Sequence, residues 1–441
     1  MRFPLPVAMP YCVAITASTI NPMSSNIHII GLGAAEPAQL NDAALKAIHE
    51  ADLVIGSARQ LQLIEASLCA LTDKPRTIEL PKLPKLKALI DANNLASVVV
   101  LASGDPLFYG IGRWFGKNFA ADCLNFYPAI SSVQAACHAL GWSLQDVDVI
   151  SLHGRALDKI RSTLQPKQLL AVLTDKHSGP KALAAQCQQA GLTGSTLWVC
   201  ENMGYAKQRI RSFSVAQLLA LDMLDVDPLH ITMIASEGHM PALPSVAGIP
   251  DTAYETGQAA GKGMITKREV RLTVLSFIQP SHGDIIWDLG AGCGGVTVEL
   301  ARCNDRAQVY ALEQDPQRLN YLQDNSRTFG VSANVHPILG RAPAALADLP
   351  SPTKVFIGGS DGELSGLLTT VWALLPEHGI LVVTAVTDKT RQTLENFCRS
   401  TIKADIECSE LSIGRGELTE SGFEFNNKRP VMVLKLLKKV I

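Results

Sequence analysis

Ile285-Ile-Trp-Asp-Leu-Gly-Ala-Gly-Cys-Gly-Gly-Val-Thr-Val-Glu299 reads as a buried strand that runs into a glycine-rich bend and out along an amphipathic helix. Gly290 and Gly292 carry no Cβ, so φ can be positive and a ligand can press against the backbone. Gly290, Gly292 and Gly295 also satisfy G-x-G-x-x-G, a turn that dinucleotide enzymes use to seat a pyrophosphate on a helix N-terminus. The residue ahead of the turn separates the readings. Asp288 puts a carboxylate where the strand ends; it repels a pyrophosphate and attracts the ammonium of a methionine moiety, directly or through water. Glu313 closes the next strand, is followed by Asp315, and can accept both ribose hydroxyls in either cofactor class. Gly340-Arg341-Ala342 follows the point where a third strand should end, a natural place for adenine contacts. The pattern favours S-adenosylmethionine, with a nicotinamide nucleotide and a purely structural glycine turn as the other readings.

Working outward, alternation of β-rich runs and helical periodicity continues on both sides of this stretch. Helices are expected at Arg268–Ile278, Gly295–Arg302, Pro316–Thr328 and Gly362–Leu374, and strands at Asp284–Asp288, Gln308–Glu313, Lys354–Ile357 and Gly379–Ala385. A late antiparallel pair is expected near Ile406–Ile413 and Val431–Leu437, which makes a doubly wound sheet. Upstream, strands are expected at Ile27–Leu32, Val98–Ala102, Val147–Leu152, Leu169–Thr174, Thr196–Cys200 and His230–Ala235, mostly parallel, with helices such as Asp42–Ala51, Ser131–Leu140 and Pro180–Ala190 between them. Between Glu237 and Gly263 the pattern dissolves into proline, glycine and small residues, where regular structure stops. The expected division is 1–26 extension, 27–238 first domain, 239–262 linker and 263–441 second domain.

The chain has 441 residues, 47% hydrophobic and 18% charged, enough apolar material for more than one core. A formal charge of -2 excludes a general nucleic-acid binder, so an acidic ligand must be held by a local basic pocket. The ten cysteines show no C-x-x-C pair and no zinc spacing, and read as buried small hydrophobes in a reducing compartment such as the cytoplasm. Prolines at 4, 6 and 10 break the mildly apolar start, which is expected to be a disordered extension with Met23 as an alternative start. No later segment reaches the roughly 18 uninterrupted apolar residues of a membrane span.

Several ordered blocks carry a family resemblance. From about Gly261 onward, Met264-Ile-Thr-Lys-Arg-Glu-Val-Arg271, the Trp-Asp-Leu-Gly-Ala-Gly turn, Val309-Tyr-Ala-Leu-Glu313, Gly340-Arg-Ala-Pro343, Val355-Phe-Ile-Gly-Gly-Ser-Asp-Gly362 and Ile413-Gly-Arg-Gly416 resemble the cobalamin-pathway methyltransferase domain that methylates C15 of a corrin precursor and removes the C12 acetate carboxyl. The resemblance implies that Thr266, Asp288, Gly290, Ala291, Gly292, Cys293, Gly294, Glu313 and Ala342 line the S-adenosylmethionine site. It also implies that Gly358, Gly359 and Ser360 face the substrate, with Ser360 and Arg415 as catalytic candidates.

Residues 27 to about 240 resemble the tetrapyrrole methylase family, in the branch that methylates C5 of the same precursor. The blocks are Ile29-Ile-Gly-Leu-Gly33, Ala102-Ser-Gly-Asp-Pro-Leu-Phe-Tyr-Gly110, Pro128-Ala-Ile-Ser-Ser132 and Ala171-Val-Leu-Thr-Asp175. The resemblance implies a cofactor folded between two α/β subdomains, near Leu32, Asp105, Phe108, Ser131, Ser132 and Leu173. Asp105 before Pro106 is expected to expose its carboxylate at a strand end. Where the family has Gly-x-Gly-Pro-Gly, this chain has Gly31-Leu-Gly-Ala-Ala-Glu36, and the alanines restrict the turn. The implied fold is a two-subdomain tetrapyrrole methylase followed by a Rossmann-like methyltransferase sheet.

Such a substrate is a tetrapyrrole with several carboxylates, which guanidinium groups bind in bidentate fashion. The candidates are Lys267, Arg268, Arg271, Arg341 and Arg415 in the second domain and Arg113 and Arg155 in the first, with His153 a weaker lead. The expected enzyme is a fused methyltransferase and decarboxylase, assembled as a homo-oligomer, with neither nucleic acid nor membrane as partner. The competing readings are a methyltransferase for another small molecule, a nicotinamide-binding oxidoreductase, and a non-catalytic assembly protein.

Overall fold

A computed structural model describes residues 26–92, 95–239, 244, 246–359, 362–401 and 404–439. The expectations about Met23 and an N-terminal extension concern residues outside this set, apart from Asn26, which opens the first strand.

One compact unit comprises the described residues up to Leu144 together with Asn202–Arg209. Its strands are β1 (Asn26–Gly31), β2 (Leu53–Gly56), β3 (Arg76–Glu79), β4 (Ser97–Ala102) and β5 (Leu124–Tyr127), in the order β3-β2-β4-β1-β5, and the pairings are parallel. Ile29, Ile30 and Val98–Leu101 are fully buried, because a parallel strand with helices on both faces has no solvent side. The four-residue strands β2, β3 and β5 were not expected; runs this short carry no readable period.

The second unit, Gln145–Glu201 with Ile210–Ile441, holds two further sheets. The smaller contains β6 (Val147–Ser151), β7 (Leu169–Leu173), β8 (Thr196–Glu201), β9 (Arg209–Ser214) and β10 (His230–Ala235), ordered β6-β7-β10-β8-β9. β6 and β7 pair in parallel, and β10 runs antiparallel to both of its neighbours. The expectation of mostly parallel strands holds for the first sheet, and this smaller sheet departs from it at β10: periodicity reports burial, whereas direction depends on the edge at which a connection returns.

The larger sheet is β13-β12-β11-β14-β15-β19-β16, built from β11 (Ile285–Leu289), β12 (Gln308–Glu313), β13 (Val335–Leu339), β14 (Lys354–Ile357), β15 (Ile380–Ala385), β16 (Ala404–Leu411) and β19 (Val431–Lys438). The first five are parallel, and β19 is antiparallel to β15 and β16. Alternate residues feed two cores. Ile286, Phe356 and Val382 meet Val270 and Val274 of helix Arg268–Ile278 on one face. Trp287, Val355 and Leu381 meet Leu367 and Val371 of helix Leu364–Leu374 on the other. This is the expected doubly wound arrangement. A hairpin of β17 (Gly414–Thr419) and β18 (Gly422–Asn427) precedes β19 and was not expected.

The stretch expected to be a linker is more than a tether. Regular structure is absent from much of it, yet Ile249 and Tyr254 are buried in the first of these cores. The Gly248 amide donates to Glu299 Oε2 at 2.7 Å and the Glu255 amide to Asn325 Oδ1 at 2.8 Å. From Gly248 onward the chain is part of the second domain's framework.

Candidate active sites

In the larger sheet, β11 lies between β12 and β14, where the strand order reverses and loops diverge to leave a crevice at the carboxyl ends. The glycine turn after β11, Glu313 at the end of β12 and Gly358–Gly359 after β14 therefore meet at one edge. The amides of Gly290 and Ala291 both donate to the Leu312 carbonyl at 3.0 Å, folding the turn across the end of β12. Gly290 has φ +77°, and a Cβ there would lie 2.8–3.0 Å from the Gly359 backbone. Gly290→Ala is expected to destabilise the domain by about 2 kcal/mol, from left-handed strain plus that collision. A thermal melt checks it, and an unchanged midpoint would contradict the geometry.

Glu313 is buried, with Oε2 accepting the Gly292 amide at 2.8 Å and Oε1 the Asp315 amide at 3.0 Å. A carboxylate offers about four acceptor sites, so two remain for a diol. Asp288 lies beneath the turn, at 0% exposure, and Oδ2 accepts the Thr297 hydroxyl. Its Oδ1 has no hydrogen-bond partner among the described residues. Burial pushes this carboxyl up to about 7, opposed by the Thr297 bond and aided by the Glu313 charge. The carboxylate thus sits where the strand ends, as expected, but enclosed beneath the turn rather than at its surface. Thr297, nine residues further along the same quoted stretch, was the overlooked partner. Cys293 is also buried, its thiol pushed up to about 11 by desolvation, and its carbonyl accepts from Asn325 Nδ2 at 2.8 Å. It shapes the turn by its backbone.

Thr266 is half-buried just before helix Arg268–Ile278, and Ala342 is half-buried on the second core beyond β13. Gly359 faces open space, while Ser360 lies outside the described residues.

The basic candidates divide. Arg271 is corrected outright: it is 0% exposed, with Nη1 2.7 Å from Asp251 Oδ1 and Nε 2.9 Å from Glu299 Oε1. It also donates to the Thr266 and Ile249 carbonyls, and with no exposed surface it cannot meet a substrate. Arg415, on β17, is 42% exposed, but its Nη2 already contacts Asp251 Oδ2 at 2.7 Å and Glu269 Oε2 at 3.0 Å. Those bonds pin the hairpin to helix Arg268–Ile278 and engage one nitrogen of the guanidinium expected to be catalytic. Burial tends to raise the Asp251 carboxyl, and the two guanidiniums reverse this and hold it below its ordinary value. Lys267 donates to the Gly261 carbonyl at 2.9 Å, Arg341 pairs with Glu363 at 3.2 Å, and Arg268 is exposed. Asp251, Glu269 and Glu299 escaped sequence reading, since nothing in their spacing links them to Arg271 or Arg415.

In the first unit, β4, β1 and β5 are adjacent, so the loops after them converge. The Gly33 amide reaches the Gly104 carbonyl at 3.4 Å, and Gly31 has no room for a Cβ, which would sit 2.6 Å from that oxygen. Asp105 is half-buried rather than exposed. Its Oδ1 accepts the Leu107 and Phe108 amides at 2.8 and 3.0 Å, and Oδ2 the Ala129 amide at 3.2 Å. It is therefore the residue that ties two loops together. Ser131 is the N-cap of helix Ser132–Leu140 in a capping box with Gln134, so its hydroxyl is engaged, while Ser132 begins the helix half-exposed. Leu32 is 1% exposed in the core, leaving only its backbone for a ligand. A cavity of about 240 Å³ opens beside Gly33, Ala34, Asn41, Tyr127 and Ile130. Leu107, Phe108, Tyr109 and Ile130 are exposed apolar side chains at the same edge. Arg113 is exposed on helix Gly112–Asn118.

In the second unit, Leu173 ends β7 half-buried, Arg155 Nη1 donates to the Ser151 carbonyl at 3.1 Å, and His153 is exposed. Asp175 accepts the Gly154, His177 and Ser178 amides and the Ser178 hydroxyl, which hold its carboxyl well below the usual range. It joins the loops after β6 and β7.

Residues 26–219 match the tetrapyrrole (corrin/porphyrin) methylases, and residues 258–438 match the precorrin methyltransferase domain. A precorrin-6Y C(5,15)-methyltransferase (decarboxylating) of Sinorhizobium sp is 37% identical over 386 residues, 86% of this chain and 90% of that protein. Its counterpart in Mycobacterium tuberculosis H37Rv is 32% identical over 374 residues, 83% of this chain and 89% of that one. A crystal structure of precorrin-6Y C5,15-methyltransferase from Geobacter metallireducens GS-15 is 32% identical and covers 44% of this chain and 98% of its own, with a TM-score of 0.41. The chain is an α/β methyltransferase, and its cofactor is S-adenosylmethionine. The larger-sheet crevice fits that group: a Cβ-free turn, two spare acceptor sites on Glu313 and an unpartnered buried Oδ1 on Asp288 suit a cationic nucleoside. More narrowly, the chain belongs to the precorrin-6Y C(5,15)-methyltransferase (decarboxylating) family.

Proposed function

We propose that the chain methylates one corrin precursor twice, at C5 in residues 27–238 and at C15 in residues 263–441, and that the second domain also removes the C12 acetate carboxyl. The observation that carries this reading is the presence, in one chain, of two separate carboxyl-edge sites of methyltransferase type, each within a different family match. S-adenosylmethionine supplies an electrophilic methyl group on a sulfonium. The protein's part is to hold an electron-rich ring carbon in line with that methyl and to exclude water.

In the second domain, Glu313 and the Gly290–Gly294 turn would hold the nucleoside, with Thr266 and Ala342 at its margins and Asp288 biasing the crevice toward a cation. Gly358 and Gly359 leave a bare strand end against which a flat macrocycle can lie. Lys267, Arg268 and Arg341 would receive its peripheral carboxylates. In the first domain, the loop tied by Asp105, with Leu32, Phe108, Ser131 and Ser132, would hold the cofactor, and Arg113 would meet a substrate carboxylate. The exposed apolar residues at that edge support a flat, largely apolar substrate such as a tetrapyrrole. Leu418, Phe423 and Phe425, exposed on one face of the β17–β18 hairpin, support the homo-oligomer. Among the described residues no helix is long and apolar enough to cross a membrane.

Mass spectrometry of the corrin precursor, incubated with the full chain and S-adenosylmethionine, tests the proposal. Two added methyl groups and one lost carbon dioxide are expected. Asp105→Asn should remove one methylation only, and Glu313→Gln the other together with the decarboxylation. An unmodified precursor, or loss of both methylations in either variant, would overturn the assignment.

A further inference from the structure

The 3-10 helix Leu157–Ser162 follows β6 in the smaller sheet of the second unit, and the turn Phe329–Asn334 follows helix Pro316–Thr328 in the larger sheet. They are more than 160 residues apart in sequence and lie against each other. Ser332 Oγ donates to Asp158 Oδ2 at 2.6 Å. Gly330, with φ +71°, approaches so closely that a Cβ would lie 2.4 Å from the Ser162 nitrogen and 2.9 Å from the Asp158 carbonyl. The Lys159 ammonium feels the Asp305 carboxylate across the same contact.

Both surfaces are held rigid from behind. On one side, Ile160 and Leu164 are fully buried in the smaller sheet's core, and Arg161 Nε donates to Gln186 Oε1 at 2.6 Å. On the other, Phe329 is fully buried, and Asn334 Nδ2 donates to the Ala301 and Ala307 carbonyls at 3.1 Å. Two preformed surfaces lose little conformational freedom when they meet, so most of the contact energy survives as affinity. The positive φ of Gly330 would suit a helix terminus anywhere, but the backbone of a different domain against its α-carbon needs a further reason.

We infer that this contact is a built joint between the two methyltransferase domains, which holds them together without help from the covalent link. The partner surface for the second domain is thus the Leu157–Ser162 segment of the first. The inference uses no property of the substrate.

The test introduces a protease site between His239 and Val246 in the full chain, cuts it, and follows the two pieces by size-exclusion chromatography. The cut wild-type protein is expected to elute as one species. Ser332→Glu sets a carboxylate against Asp158, and its pieces should separate, with at least tenfold weaker association. Asp158→Lys combined with Ser332→Glu should restore co-elution, which also shows that the single variant was folded. Separation of the cut wild-type pieces would overturn the joint. So would undiminished association of Ser332→Glu, or failure of the double variant to rescue it. None of these readouts involves methyl transfer, so the proposed reaction stands or falls separately.

Discussion

Arg271→Met is expected to lower the melting temperature of the second domain by about 10 °C, a loss of about 3–5 kcal/mol. The side chain is 0% exposed and faces two carboxylates, Asp251 and Glu299, that are themselves 2% and 1% exposed. Methionine fills much of the same volume, so the cost comes from charge. With the guanidinium removed, two buried carboxylates lose their shared counterion, and the Ile249 and Thr266 carbonyls lose a donor. Asp251 keeps Arg415, which softens its loss, whereas the hydrogen bond left to Glu299 among the described residues is that of the Gly248 amide. Arg271→Lys should recover part of the stability, since an ammonium restores the charge but cannot span acceptors in four directions. A fluorescence melt of the full chain, using Trp287 in that domain's core, reads both variants. A shift under 3 °C for methionine would mean that the carboxylates take up protons at little cost.

This arginine also marks where sequence reading stops. The strand, turn and helix around Gly290 were legible because their signals are local: a buried run, Cβ-free positions and then a helical period. Pro316 at a first helical turn and the apolar runs of β12, β14 and β15 fixed neighbouring elements almost to the residue for the same reason. Arg271 looked like a substrate ligand because an arginine beside a cofactor motif is the right chemistry. Its partners lie 20 residues before it and 28 after it, and only the folded chain brings Asp251 and Glu299 to it. Arg415 was expected to meet a substrate, and the bonds of its Nη2 to Glu269 and Asp251 likewise appear only in the folded chain. The antiparallel course of β10 and the Ser332–Asp158 contact were also out of reach, since both depend on returns from distant parts of the chain. Asp105 was half legible: its place beside Pro106 fixed the turn, but its bond from the Ala129 amide appears only once β5 stands beside β1.

Affinity for S-adenosylmethionine at the second site is expected to rise about fivefold between pH 6 and pH 8, and Asp288→Asn should abolish that rise. The Asp288 carboxyl is raised to about 7 by burial, with Glu313 adding to the effect. Because its folded value lies above its unfolded one, the proton it holds favours the folded state fully below about pH 4, and this contribution is lost as pH rises through about 7. The protein without cofactor should therefore melt lower at pH 8 than at pH 5.5, and Asp288→Asn should flatten that part of the slope, since an amide has no proton to lose. A cation in the crevice favours the carboxylate, so binding lowers the Asp288 value and releases part of a proton. A drop of one unit, from about 7 to about 6, gives the fivefold change. Calorimetric titration in two buffers of different ionisation enthalpy measures the released proton directly, and Asp105→Asn in the same chain keeps the first site out of the signal. Equal affinity across this range, or an Asp288→Asn variant with the same pH profile as the wild type, would show that the carboxylate beneath the turn does not communicate with the ligand above it.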